Sequence, residues 1–288
     1  MENQPVCRVC GAKETPHYAK KNGFDLYKCP HCGLIFVWPV PDTTKRIYDQ
    51  EYFSGARFGH GYVDYDVDKQ AMKPTFAKYI EMLEKFLGRR GFLLDIGAAT
   101  GFFINMAKQR GWQVAGVEIS EFAAAKGREK GLDVRAGTLA TTGFSDNSFD
   151  AVSMLDVIEH VPDPEAELKL IHKALKPGGL LLINNPDAGS WYAKIMGPRW
   201  HAVIPPEHLV LFNKKNLPML LRGCGYEIVY VGKVPKKFSL RYTAQVAANW
   251  LRIAPLRALA DWLNKSRLGQ IAIPIHIRDN LVVIARKA

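Results

Sequence analysis

The sequence has no apolar run approaching the roughly 18 residues of a membrane span, and its first ten residues, MENQPVCRVC, hold no apolar signal region. A cytoplasmic protein is the expectation. Cysteine is scarce: of five, four fall in two C-x-x-C pairs, which suits a metal site in a reducing compartment and argues against a disulfide framework. Also missing is the G-x-G-x-x-G helix opening of nicotinamide-dependent dehydrogenases. Acidic residues run short in the last fifth of the chain, where residues 231–288 carry eleven Lys/Arg against only Asp261 and Asp279. Most of the net charge of +11 therefore sits there and implies an anionic surface or substrate. What is present is 288 residues of 48% hydrophobic content, enough for one substantial core and a small accessory unit.

The stretch LLDIGAATG, residues 93–101, organises the rest. Phe92, Leu93 and Leu94 read as a buried parallel strand with Asp95 at its carboxyl end, and Gly97, Ala99 and Gly101 open a turn into an amphipathic helix from Phe102. Small residues let backbone and ligand approach closely, and helix N-terminal amides favour a polar or anionic ligand. A second strand over residues 113–117 ends in Glu118, 21 residues after Gly97, where a carboxylate can accept from two ribose hydroxyls.

Before this unit, Cys7, Cys10, Cys29 and Cys32 form C-x2-C, eighteen residues, C-x2-C, each pair followed by Gly11 or Gly33. Four thiolates at this spacing close a tetrahedral zinc shell with no open position, so residues 1–40 are expected to be a zinc ribbon with a structural metal. His31 is a loop residue between ligands. Residues 41–88 then supply an aromatic linker and a lead-in helix. The aromatics Tyr48, Tyr52, Phe53, Phe58, Tyr62 and Tyr65 with glycines at 55, 59 and 61 fit either a packing segment or a lid in which Tyr52, Phe53 or Tyr62 closes over bound ligand. Phe76, Tyr79, Ile80, Leu83 and Leu87 recur at helical spacing over Lys73–Leu87.

From residue 89 strands and helices alternate. Ser120 caps a helix over 121–130, residues 132–136 and Phe149–Leu155 are strands, Asp163 and Pro164 start the next helix, which runs to Ala174 before Pro177-Gly178-Gly179 stops it, and 180–184 is the fifth strand. Repeated units predict a doubly wound α/β sheet with ligands at the strands' carboxyl ends. Strands at 226–231 and 280–285 bracket an insertion, 236–275, read as two amphipathic helices carrying Trp250 and Trp262 on an apolar side and Lys236, Lys237, Arg241, Arg252, Arg257, Lys265 and Arg267 on the other. It fits a helical cap, a contact within a homodimer, or a pair lying on an anionic membrane.

Residues 93–101 resemble the first motif of class I S-adenosylmethionine (SAM) dependent methyltransferases, an acid followed by Gly-x-Gly-x-Gly, with Ala99 at the middle glycine. The block from Asp146 to Pro186, with D-x-S-F-D, E-H-V-x-D-P and L-x-P-G-G segments, is similar to small-molecule methyltransferases of the ubiquinone-biosynthesis type over roughly residues 73 to 232. Residues 189–228 resemble a subgroup carrying an amino-terminal zinc ribbon that often modifies sugars or cell-surface glycans. The resemblance implies a seven-stranded Rossmann-like sheet and SAM as cofactor. Asp95, Gly97, Ala99 and Gly101 would then hold the methionine part, Glu118 and Ile119 the ribose and adenine, and Thr138, Leu139 and Leu155 the remaining edges. Thr138 stands where the family usually has an acid.

Methyl transfer is an in-line displacement, so few catalytic groups are required beyond positioning and, for some acceptors, a base. Asp156, Glu159 and His160 form D-x-x-E-H after the fourth strand; three roles stay open, a structural turn, a base at His160, or a Mg or Mn site like the E-x-x-E-H cluster of ubiquinone-type relatives. His208, beside Glu207, is the other candidate base. Trp191, Trp200 and His201 are expected to line an acceptor pocket, and Cys224 to be inert. The favoured reading is methyl transfer to a small-molecule or glycan-like, lipid-linked acceptor, O-methylation ahead of C- or N-. Rivals are an RNA base methyltransferase, against which no N-P-P-(Y/F) follows the fourth strand, and a binding module for SAM or nucleic acid without turnover.

Overall fold

A computed structural model describes residues 5–41, 65–251, 254–275 and 279–288. Tyr52, Phe53 and Tyr62, the candidate lid residues, and Arg252 of the insertion lie outside the described residues, as does the side chain of Trp250.

Seven strands make the central sheet: β4 (Phe92–Ile96), β5 (Gln113–Glu118), β6 (Asp133–Ala136), β7 (Phe149–Leu155), β8 (Leu175–Pro186), β10 (Tyr226–Gly232) and β13 (Asn280–Lys287). Their order is β10-β13-β8-β7-β4-β5-β6. Only β13 runs against its neighbours. The order reverses at β4, whose partners are β5 on one side and β7 on the other, and a crevice for ligand opens at such a reversal. Continuous burial along β7 and the centre of β8 is what a sheet covered on both faces demands.

The helices are α1 (Tyr65–Lys69), α2 (Lys73–Leu87), α3 (Phe102–Gln109), α4 (Glu121–Glu129), α5 (Pro164–Ala174), α6 (Trp191–Met196), α7 (Asn216–Gly223), α8 (Leu240–Leu251) and α9 (Ala254–Lys265). Side chains of Ser120 and Asp163 accept from the amides of Ala123 and Ala166, as their N-cap positions require. The helix from Pro164 ends at Ala174, as expected, and Leu175 is already extended and pairs with Phe149. Strand β8 therefore begins five residues before residue 180 and takes the Pro-Gly-Gly into its own start.

The cysteine-bearing segment folds as β1 (His17–Lys21), β2 (Phe24–Lys28) and β3 (Ile35–Val37). Its sheet is not self-contained, since β9 (Val210–Leu211) adds a fourth strand against β3 from far along the chain. The insertion holds the two expected helices, flanked by a pair absent from the sequence reading, β11 (Lys236–Ser239) with β12 (Ala272–Ile275). Two cations assigned to its polar side are turned inward: Lys236 pairs with Asp156 at 2.8 Å, and buried Arg241 with buried Asp68 at 2.7 Å. Leu263 is buried, whereas Leu259 and Trp262 on α9 are 45% and 54% exposed.

Candidate active site

Three alternate left-handed residues shape the turn between β4 and α3: Gly97 (φ 74°), Ala99 (φ 49°) and Gly101 (φ 77°). A methyl group at Gly97 would lie 2.4 Å from Val157, and one at Gly101 2.4 Å from Leu132, so both positions need glycine for space as well as conformation. Ala99 adopts the strained region because its amide donates to Glu118 Oε2 at 2.8 Å. The other oxygen of Glu118 accepts from the Ser120 amide at 2.9 Å. Each carboxylate oxygen keeps a further acceptor position, so the group can clamp the loop and still receive a hydroxyl. Burial raises the Glu118 carboxyl above its ordinary value, against the pull of these amides.

Asp95 is 3% exposed and accepts from Ser153 Oγ at 2.6 Å, its register partner on β7. Burial pushes it up to about 7, opposed by the Ser153 hydroxyl and helped by the nearby charge of Glu118. Ile119 and Thr138 are exposed and Leu139 is buried, beyond the ends of β5 and β6. Two residues that sequence reading missed support the loop. Tyr65, read only as one aromatic of a packing segment or lid, lies in α1 and packs on Ala99 and Ala123, and Asp66 accepts from Thr100 Oγ1 and Lys130 Nζ, both at 2.6 Å.

Beyond β7 the expected D-x-x-E-H cluster divides. Asp156 (φ 56°) accepts from Lys236 and, at 2.6 Å, from Asn184 Nδ2, whose Oδ1 accepts from Tyr79. This chain of side chains from α2, β8 and the insertion had no local sequence signal. Glu159, His160 and His208 come together instead, one donor atom of each lying within 4.8 Å of the others. The oxygen-rich Mg or Mn set of Asp156, Glu159 and His160 is thus replaced by one carboxylate and two imidazoles, donors that suit a transition-metal ion better than Mg. Glu159 is 1% exposed, neither oxygen has a hydrogen-bond partner among the described residues, and burial holds its carboxyl well above the usual range.

The two histidine rings meet edge to face, centroids 4.7 Å apart. His160 Nδ1 lies 2.9 Å from the Glu207 carbonyl and His208 Nδ1 2.7 Å from the Ala202 carbonyl. A carbonyl only accepts, so both Nδ1 atoms carry the proton and in each neutral ring Nε2 holds the lone pair. Burial pulls His160 down to about 4. Of the aromatics expected around an acceptor, Trp191 is 60% exposed, but Trp200 is a core residue whose Nε1 donates to Asp279 at 3.2 Å. His201 pairs with the same carboxylate at 3.4 Å. Cys224 is buried and its thiol raised, in keeping with an inert role.

The ribbon cysteines also converge. Sγ atoms of Cys7 and Cys32, and of Cys10 and Cys29, are 3.5 Å apart, close to the ~3.8 Å edge of a zinc tetrahedron with 2.3 Å Zn–S bonds. Gly11 and Gly33 close the two knuckles by donating to the carbonyls of Cys7 and Cys29 at 2.9 Å. Burial pushes the Cys7 thiol up to about 11, which a bound cation would reverse.

Residues 69–231, more than half of the chain, match the methyltransferase domain family. The ubiquinone biosynthesis O-methyltransferase of Idiomarina loihiensis is 35% identical over 113 residues, 36% of this chain and 46% of that protein, so the chain spans less than half the length of that relative. The protein of the same name from Pseudomonas aeruginosa is 29% identical over 170 residues, 54% of this chain and 72% of that one. A solved SAM-dependent methyltransferase of Thermotoga maritima shares the fold with TM-score 0.50 and 22% identity, across 76% of this chain and 92% of the other. By its sheet order, its glycine turn between β4 and α3 and the match over residues 69–231, the chain belongs to the methyltransferase domain family, that of the class I SAM-dependent methyltransferases.

Proposed function

We propose that the protein transfers the methyl group of SAM to an oxygen of a small-molecule acceptor, with His208 taking the acceptor's proton. A carbonyl fixes the proton of each histidine on Nδ1 and leaves Nε2 as the basic nitrogen, so one observation carries the choice between them, the burial that lowers His160. His160, lowered to about 4, is a poor base at neutral pH and serves as the neutral partner packed against His208. SAM, when bound, supplies an electrophilic methyl group. Asp95, Gly97, Ala99 and Gly101 would hold its methionine part, Glu118 and Ile119 the ribose and adenine, and Thr138, Leu139 and Leu155 the edges of the base. Asp156, tied to Lys236, positions the insertion over this end of the sheet. A zinc ion at Cys7, Cys10, Cys29 and Cys32 would be structural, all four ligands coming from the chain.

The O-methyltransferase names of the relatives support an oxygen acceptor. The exposed Trp262 and Leu259 on a basic insertion support a lipid-linked glycan acceptor met at an anionic membrane surface. Mass spectrometry of the purified protein tests the first step, with co-bound SAM expected. A screen of hydroxyl-bearing acceptors then compares wild type with His208→Ala and His160→Ala. Loss of about 100-fold or more in turnover is expected for His208→Ala, with SAM affinity unchanged; an undiminished rate refutes the base.

A further inference from the structure

Resting on that reading of His208, we propose that the four-cysteine knuckles set the geometry of the acceptor-side histidines, with Asn213 as the positioning residue between the two. Asn213 Nδ2 donates to the carbonyls of Cys32 at 3.2 Å and Gly33 at 3.3 Å, and its Oδ1 accepts from the amides of Lys215 and Asn216. Asn216, fully buried, sends its own Nδ2 to the Cys32 carbonyl at 3.3 Å. The second knuckle is thus bolted to the start of α7, and a methyl group on Gly33 would sit 3.1 Å from Asn213 Nδ2.

From Asn213 the chain runs back through β9 to His208. Strand β3, which follows the second knuckle, pairs with β9 through Ile35 with Leu211 and Phe36 with Val210. Leu209, next to His208, is held from both sides: its amide donates to the Glu159 carbonyl at 2.8 Å, and its carbonyl accepts from Val37 at 2.9 Å. One bond ties it to the segment bearing His160 and the other to the ribbon. Cys7, Cys29 and Cys32 share one apolar cluster with Ile158, Leu209, Val210 and Phe212, so the knuckles and the histidine-bearing segments pack as one body. Without a cation, three buried thiols and the half-buried Cys10 lose the ion that would hold one knuckle to the other, and the Cys32 carbonyl that anchors Asn213 and Asn216 loses its fixed position.

The test uses the full chain, zinc-loaded, metal-stripped and reloaded, bound to S-adenosylhomocysteine for NMR and amide exchange and ligand-free for calorimetry. Proton–nitrogen NMR reads the His208 imidazole, amide exchange reads Leu209, and calorimetry reads SAM. Stripping should speed exchange of the His208 Nδ1 proton and the Leu209 amide by about tenfold or more. SAM affinity should stay within about threefold, and zinc should restore both exchange rates. Asn213→Ala, still binding one zinc, should shift the His208 resonances and lower kcat by about tenfold with little change in the KM for SAM. Lys215→Ala, which removes only a surface bond from Nζ to the His31 carbonyl, should do neither. Unmoved His208 and Leu209 signals in both the stripped protein and Asn213→Ala overturn the proposal. Moved signals with unchanged turnover uphold the coupling and refute His208 as the base.

Discussion

Replacing Asp95 by Asn should stabilise the unliganded protein at neutral pH while weakening SAM binding. The carboxyl ionises near 3.8 in an unfolded chain and near 7 in its buried place at the end of β4. Below pH 4 both states are protonated and the group is neutral to stability. Between pH 4 and 7 only the unfolded state releases its proton, so stability falls as pH rises; above pH 7 the loss levels off. Roughly three pK units amount to about 4 kcal/mol. An asparagine of the same shape still accepts from Ser153 Oγ and carries no charge to desolvate. For a chain of this size the gain at pH 8 corresponds to a rise in Tm of roughly 8 °C, less whatever the new amide protons lack in partners. Thermal melts of both proteins at pH 4, 6 and 8 measure it. The difference should be near zero at the lowest pH and largest at the highest, while calorimetry shows weaker SAM binding to the variant. If both proteins keep the same pH dependence, or Asp95→Asn melts lower at pH 8, the burial argument is wrong.

Three further outcomes are expected. Glu118→Ala removes the acceptor for the Ala99 and Ser120 amides along with the proposed ribose contact, and should weaken SAM by about 2 kcal/mol, or about 30-fold, in calorimetry; unchanged affinity would remove this assignment. Metal analysis after anaerobic purification should find one zinc per chain, and its absence would refute the structural site. Vesicles containing anionic lipid should sediment the protein at low salt, and replacing Leu259 and Trp262 with Ser should abolish this; binding that survives the replacement places the contact elsewhere.

Features that depend on neighbours in the chain were legible from residue types alone. The β4 turn needs left-handed backbone at residues 97 and 101, and the sequence supplies glycine at both; Ala99 takes the same conformation only because Glu118 holds its amide. The cysteine knuckles, the caps at Ser120 and Asp163 and the strand Phe149–Leu155 are local in the same sense. Tertiary structure decided whatever depends on which segments meet. Asp156 stands apart from Glu159 and His160 because Lys236, 80 residues on, reaches it from the insertion. His208 joined His160 because β9 completes the sheet of the ribbon and brings Leu209 against Glu159. Trp200 went into the core because Asp279 offers its indole proton a partner. Spacing within one element sets periodicity and turn chemistry, but pairings between distant segments follow from the total burial the chain achieves, which no window of residues carries.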